Sequence, residues 1–372
     1  MSATQLYYTL LWPKDAPPLV DHLLRVHLLT LEGYLEDTLW FALHGDVEPY
    51  KEFVDAVGRP TPEEQSQFLL APSAFPLLVS LTGHSPSERS RAVLEAFKDD
   101  IVRRRNGTGA SKGWTRLTDF RVDDHGHRFY NELLGDSIVV DFDSEECLRV
   151  ELASSVFCRE PVPFTDDEHT IVVDKLRAAL KLIDDTASTA GRLVRNATRC
   201  IRVRKSMTEI TAAETDPQVI GEIRLHNPHL DKLRVVDIAD ALIHESLHNF
   251  LAMYEYRHGG FVDYRQSALV RPVSPWTGNP IPYNAFTHAV IIYFALFNFY
   301  RLLYPKLATE AERRTVAELM TKCSRGFRVV NLSECLSEVG SSPDWLHAMY
   351  EKMAAEVRRH YLQSNDLMLV AA

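Results

Sequence analysis

An almost uninterrupted apolar segment, AFTHAVIIYFALFNFYRLLY at residues 285–304, constrains the fold more than any other feature of this sequence. No stretch of the chain is apolar throughout the roughly 20 residues that a membrane span needs. A helix that is apolar on every side must therefore be buried inside a protein core. The chain has 372 residues, 45% of them hydrophobic, which is enough to build a large core around this segment.

Helical and strand patterns divide the chain into two regions. Apolar residues recur at helical spacing from residue 18 to about residue 105, so a helical N-terminal region is predicted for residues 1–135. A metal-binding catalytic region is predicted for residues 136–372, sharing one core with the first. β-branched runs near 137–142, 199–205 and 219–225 predict short strands, the last two paired. The expected fold is α+β: mostly α with a small antiparallel β-sheet.

Composition excludes several classes of partner. The 41 Lys and Arg residues against 51 Asp and Glu give a net charge of −10, which disfavours nucleic acid and anionic membranes. The five cysteines are scattered and never spaced as C-x-x-C, which indicates free thiols in a reducing compartment. The N-terminus has no basic segment and no signal cleavage site, so a cytoplasmic protein is predicted. The oligomeric state stays open.

The motif HESLH indicates a metal site. It lies in a helix predicted for residues 236–257, where the four-residue spacing of His244 and His248 points both rings the same way. Two such histidines can bind one cation, and the helix beside a short sheet is the arrangement of zincin-like active sites. The alternative is a pair of ordinary histidines on a helix surface.

A metal site needs a further ligand, and His288 is the preferred one. It lies on the buried helix predicted for residues 285–304, where an imidazole needs a polar partner. The alternative is a core histidine with another partner. Glu310, Glu312 and Glu318 are also available, but they belong to an ordinary charged helix. Three neutral imidazoles leave open positions that suit a redox metal, which binds a chelating cosubstrate and dioxygen.

Three motifs in order, HESLH, SPWTGNPIP and THAVIIYFALFNFY, resemble the HExxH-motif putative peptide-modification proteins over residues 215–305. The resemblance implies an iron(II)- and 2-oxoglutarate-dependent hydroxylase that acts on the β-carbon of amino-acid side chains, mainly in ribosomally made precursor peptides. It implies that His244 and His248 bind the iron, that His288 is the downstream ligand, and that Trp276 lies near the pocket.

Residues around Trp276 supply candidates for the remaining contacts. Thr277 and Ile281 stand where many members of that family carry arginines, so the cationic clamp for 2-oxoglutarate is sought elsewhere. Arg271 is the first choice and Arg265 the second, with surface salt bridging as the alternative for both. Hydrogen bonds to substrate are predicted for three further residues, with turn formation as the alternative for the two asparagines: Asn279, Tyr283 and Asn284.

Three functions follow from these motifs. The favoured one is a hydroxylase with iron(II) as cofactor and 2-oxoglutarate as cosubstrate, acting on a peptide or amino acid. In it Glu245 has no obligatory role as a base and supports a ligand or the substrate. The second is a zinc metallopeptidase in which Glu245 is the general base that deprotonates a zinc-bound water. The third is a non-catalytic scaffold that binds a peptide and holds no metal tightly.

Overall fold

A computed structural model of the chain describes residues 3–14, 19–45, 47–71, 74–79, 85–106, 120–122, 128–130, 132–135, 137–142, 147, 161–216, 219–263, 269–329, 331–337 and 342–370. The chain divides into two compact units. The sheet unit comprises Asp21–Lys181 and Val194–Met253, and the helical unit comprises Met1–Val20, Leu182–Leu193 and Tyr254–Ala372. The units interleave along the chain, so the boundary predicted between residues 135 and 136 stays a prediction.

Helices occupy most of the N-terminal third, as its apolar periodicity predicts. They are α1 (Ala3–Thr9), α2 (Leu19–His44), α3 (Val47–Val57), α4 (Pro62–Leu70), α5 (Ala74–Val79) and α6 (Pro86–Asn106). Two of them begin with a capping box, in which a hydroxyl and a glutamate three residues later satisfy each other's backbone N–H groups. The pairs are Thr61 with Glu64 and Ser85 with Glu88.

A five-stranded sheet in the order β3-β4-β5-β7-β6 lies in the sheet unit, and a separate antiparallel pair precedes it. The strands are β1 (Phe120–Val122), β2 (Arg128–Tyr130), β3 (Glu132–Leu134), β4 (Ile138–Asp141), β5 (Cys200–Arg204), β6 (Ala212–Glu214) and β7 (Glu222–His226). Helices α7 (Asp166–Thr186) and α8 (Ser188–Ala197) precede β5, and α9 (Val235–His258) follows β7. The three strands predicted from β-branched runs correspond to β4, β5 and β7.

The sheet is mixed, so the prediction of an antiparallel sheet is wrong. Strand β5 pairs in parallel with both β4 and β7, while β3 and β6 run antiparallel to their neighbours. The predicted pairing of β5 with β7 is confirmed, but its direction reflects the intervening β6. After β5 the chain forms β6 at the edge of the sheet. It then reverses and forms β7 between β5 and β6. Two neighbouring strands thus become parallel through a short connection.

The two faces of the sheet differ in character because side chains alternate along each strand. Ile201, Val203, Ile223 and Leu225 share the apolar face. The opposite face carries a charged cluster that is buried except for the half-buried Arg224. Its members are Asp141, Arg202, Glu222 and Arg224.

The helical unit contains the apolar segment as α10 (Tyr283–Leu303), which agrees with the helix predicted for 285–304. It packs with α11 (Glu310–Val329) and α13 (Asp344–Val370). A short helix, α12 (Leu332–Ser337), comes between α11 and α13 in the sequence. Among the described residues one helix, Tyr283–Lys306, has the length and composition of a membrane span. Because 83% of its most apolar window is buried inside the protein, it is the core helix that the sequence predicts.

His27 on α2 makes stability depend on pH. Its side chain is buried, and this burial, together with the charge of Arg199, lowers the pKa of His27 from 6.5 to about 4. The unfolded chain therefore binds a proton below pH 6.5 that the folded chain excludes until about pH 4. When the pH falls from 7.5 to 4.5, we expect His27 to lower the free energy of unfolding by roughly 2–3 kcal/mol.

Urea unfolding over that pH range measures this effect. The variant His27→Gln cannot take up the proton and should lose less stability than the wild type on acidification by that amount. Equal losses in the two proteins would show that the pKa of His27 does not differ between the folded and the unfolded chain.

Candidate metal centre

The HESLH motif lies in the middle of α9, which agrees with the helix predicted for residues 236–257. The carboxylate of Asp237 accepts a hydrogen bond from the backbone N–H of Arg234 and so fixes the start of the helix. The helix ends at His258, and the next residue is Gly259, whose φ of 89° lies in the left-handed region that favours glycine. Both boundaries therefore have local causes in the sequence.

His244 and His248 lie side by side on α9. Their ring centroids are 5.2 Å apart with the ring planes inclined at 52°, and both side chains are half-buried. This separation lets one nitrogen of each ring approach a common ion, since metal–nitrogen bonds are about 2.1 Å long. The pair thus fits two ligands of one metal site.

Glu245 points to a different partner. Its side chain is buried, and its Oε2 accepts a hydrogen bond of 3.1 Å from the Thr215 hydroxyl. Burial raises the pKa of the Glu245 carboxyl above its usual value, although the charge of His244 and the Thr215 hydrogen bond oppose this. Thr215 directly follows β6, so the end of the edge strand of the sheet holds the glutamate of the motif.

Within the sheet unit, further polar contacts fix the motif helix to residues at the ends of β5 and β7. The hydroxyls of Ser246 and Thr198 are hydrogen-bonded at 2.8 Å, and both side chains are buried. The amide of Asn249 accepts from the Gly221 N–H at 2.9 Å and donates to the Glu222 carbonyl at 3.1 Å. Because each bond is buried, it restricts the rotation and sliding of α9. The hydrogen bonds of Ser246 and Asn249 therefore fix the segment of α9 that carries His244 and His248.

The part of the chain that the structure describes does not assemble a complete ligand set. Among the residues that the structure describes, no three His, Cys, Asp or Glu side chains form a group that could hold a metal ion. His244 and His248 thus fit two ligand positions, and the remaining one is open to a residue that lies elsewhere. Glu312 caps α11 by bonding to Thr309, and Glu310 and Glu318 are exposed, in keeping with an ordinary charged helix.

His288, predicted as the third ligand, belongs to the helical unit, whereas His244 and His248 belong to the sheet unit. Its Nε2 lies 2.7 Å from Oε2 of Glu255, and the other oxygen of Glu255 accepts from the Phe261 N–H. Both side chains are buried. This is the polar partner that a core histidine needs, and it is also the way in which carboxylates orient metal-bound histidines. Nδ1 would then be the coordinating nitrogen, and the role of His288 as a ligand stays a prediction.

Trp276 is a core residue of the helical unit. Its indole N–H donates to the Cys323 carbonyl at 2.8 Å, and its ring stacks on Tyr293 with centroids 4.6 Å apart. Gly326 makes room for it, because a Cβ at that position would lie 2.3 Å from the indole ring. These contacts account for the tryptophan by packing, and its predicted place near a cofactor stays a prediction.

The other predicted contact residues have varied surroundings. Arg271 is exposed, and Arg265 lies outside the described residues. Asn279 is exposed in a turn, where its carbonyl accepts from the Ser274 N–H. Tyr283 is fully buried with its hydroxyl 3.5 Å from the Cys335 carbonyl, and Asn284 is half-buried with its carbonyl bonded to Thr287. The turn explains Asn279 without a substrate.

Sequence reasoning missed two residues that matter here. Thr215 lies 30 positions before Glu245, and Glu255 lies 33 positions before His288. No motif marks either one. Glu255 had one usable signal, since it is an acid in the otherwise apolar run FLAMYEY, where a buried carboxylate needs a partner.

No family model matches the chain, and no curated protein matches its sequence.

Proposed function

We propose that this protein is an iron(II)- and 2-oxoglutarate-dependent hydroxylase of an amino-acid side chain, acting at the β-carbon of a peptide or amino acid. The observation that carries the proposal is the pair His244 and His248, side by side on a helix that buried hydrogen bonds hold in place. The resemblance of HESLH, SPWTGNPIP and THAVIIYFALFNFY to the peptide-modification family supplies the reaction class. A precursor peptide as substrate and a cytoplasmic location belong to the same proposal.

Glu245 supports this choice of chemistry. Its carboxylate is buried and already accepts a hydrogen bond from Thr215. A carboxylate in this position is suited to holding the motif helix against the end of β6, which keeps the neighbouring His244 in a fixed orientation. A hydroxylase needs nothing more from it, because no water has to be deprotonated.

The chain's own task is to hold and orient. Iron(II) with 2-oxoglutarate would supply the oxidising power, inserting one oxygen atom of dioxygen into a C–H bond while 2-oxoglutarate gives succinate and carbon dioxide. His244 and His248 would bind the metal as neutral imidazoles, with His288 as the predicted third ligand. Arg271 would bind a carboxylate of the cosubstrate, for which its exposed guanidinium is chemically suited.

A zinc peptidase is the second candidate, and the sheet favours it. The antiparallel edge strand β6 ends beside the glutamate of the motif, as in a zincin-like active site where an edge strand flanks the cleft. In that case Glu245 would take the proton from a zinc-bound water. The two candidates assign opposite importance to the same carboxylate.

The variant Glu245→Gln separates them. In a hydroxylase we expect product formation within about 10-fold of the wild type, because the amide keeps an oxygen that can accept from Thr215. In a peptidase we expect a loss of at least about 100-fold, the usual minimum for removing a general base. Thr215→Val and Thr215→Ser are the matched pair: Thr215→Val removes the hydrogen bond and Thr215→Ser keeps it. Metal content must be equal in all the proteins compared.

The direct experiment loads the protein with iron(II) without oxygen, then adds 2-oxoglutarate and air and measures succinate. We expect succinate in excess over protein, with more in the presence of a suitable peptide. Tight zinc binding with peptide cleavage and no succinate would replace the hydroxylase by the peptidase. No tight binding of either metal would leave the non-catalytic scaffold.

A further inference from the structure

One face of α2 exposes large apolar side chains to solvent. Leu29, Gly33, Trp40 and His44 are separated by four, seven and four residues, so they lie in one line along the helix. We call this line the α2 face. Leu29 is 56% exposed and Trp40 is 62% exposed, and the Trp40 and His44 rings stack with centroids 4.5 Å apart. Single exposed apolar side chains are ordinary on a folded protein, but several that lie together are typical of an interaction site.

Gly33 is the second unusual feature of this face. Glycine in a helix interior is destabilising relative to alanine, so it needs a reason such as the close approach of another group. At Gly33 no atom of the residues that the structure describes lies within 4 Å of the space that a Cβ would occupy. Packing against those described residues therefore gives no reason for the glycine. A second helix crossing α2 at Gly33 would give one, because two backbones approach closely where a side chain is missing.

From Glu32 onward the charged side chains of α2 beside this face are carboxylates, whereas the exposed Arg25 lies one turn before Leu29. Glu36 and Asp37 flank the line on its two sides and are exposed, and Glu32 is half-buried nearby. Helix α2 carries no lysine or arginine after Arg25. A second copy of this chain docking through the same face would bring these carboxylates together, whereas a basic partner would be attracted.

We propose that the α2 face is a docking site for an amphipathic helix of a partner polypeptide, with an apolar stripe flanked by lysine or arginine. The stripe crosses α2 at Gly33 and covers Leu29 on one side and the stacked Trp40 and His44 on the other. Glu36 and Asp37 attract the basic flanks. Such grooves and faces recognise helices through apolar residues at spacings of three and four. The inference does not rest on the proposed enzymatic function.

Two synthetic helical peptides of about 18 residues test the proposal, one built from leucine and lysine with a single apolar stripe and one from leucine and glutamate. Titration calorimetry with the full chain should show binding of the lysine peptide, weakened by salt, and at least 10-fold weaker binding of the glutamate peptide. Emission from Trp40 should shift to shorter wavelength, and the variant Trp40→Phe should lack that shift.

Substitutions at Gly33 give the sharpest control. Gly33→Ala and Gly33→Leu both favour the helix and should raise the melting temperature by about 1–2 °C. Gly33→Leu should nevertheless bind the lysine peptide at least 10-fold more weakly, because its side chain occupies the crossing point. Equal binding by Gly33→Leu and the wild type would overturn the proposal. So would a dimer of the wild type, detected by light scattering, that Gly33→Leu converts to a monomer.

Discussion

The variant His244→Ala should bind iron(II), or cobalt(II) as a stable substitute, at least about 100-fold more weakly than the wild type. Loss of a residue that only orients a ligand commonly costs 10–100-fold in affinity, so loss of the ligand itself should cost more. His248→Ala should behave in the same way, because the two rings lie side by side on α9. Calorimetric titration without oxygen gives the affinity, and the visible absorption of cobalt(II) reports on its ligands.

A matched control lies on the same helix. His258 is exposed at the end of α9, and His258→Ala should leave metal binding unchanged. Affinity that survives in His244→Ala would remove the metal centre and both enzyme proposals with it. His288→Ala is informative in two ways. A ligand would lose affinity, whereas a residue that serves only as the partner of Glu255 would lose stability and leave affinity unchanged.

Breaking the charged cluster of the sheet should have the largest effect on stability. Arg202 donates to Glu222 at 2.7 Å and lies 4.0 Å from Asp141, with all three side chains buried. Arg202→Met keeps the length of the side chain but removes this cation from two buried carboxylates, of which Glu222 retains the hydrogen bond from Arg224 at 2.7 Å. We expect a loss of about 3–5 kcal/mol in the free energy of unfolding, as for other buried pairs that lose one partner.

Urea unfolding at neutral pH measures this loss, and an exposed pair supplies the control. Arg177 lies 3.7 Å from Asp174, and both side chains are more than half exposed. Arg177→Met should therefore cost less than about 1 kcal/mol. Adding Glu222→Gln to Arg202→Met should recover part of the loss. A loss below 1 kcal/mol for Arg202→Met itself would mean that Arg202 contributes no more than a surface charge.

Long periodic segments were predictable from the sequence. The apolar run became the buried α10, and the motif helix begins and ends within one residue of its predicted bounds because Asp237 and Gly259 mark its ends. The three β-branched runs correspond to three strands, because a continuous apolar run of strand length is typical of buried strands. Among the described residues Cys147, Cys200, Cys323 and Cys335 form no disulfide, and Cys158 lies outside the described residues.

Strand direction and side-chain partners were not predictable. Strands β3 and β6 have only three residues each, too few for an alternating pattern to stand out. Without β6 nothing in the sequence shows that β5 and β7 run the same way. The partners of Glu245 and His288 lie about 30 residues away along the chain, and a hydrogen bond leaves no periodic trace. The sequence therefore predicted the candidate ligands but not Thr215 and Glu255, the partners of Glu245 and His288.

The short route from β5 through β6 to β7 has a consequence for folding. Paired residues of β5 and β7 are as close along the chain as Cys200 and Glu222, whereas β4 pairs with β5 across a separation such as that of Val139 and Cys200. Closing a longer loop costs more conformational entropy before any contact repays it. Strands β5, β6 and β7 can therefore assemble first together with α9, to which Thr198, Thr215 and Gly221 are hydrogen-bonded. The two motif histidines would then acquire their spacing before β3 and β4 join the sheet.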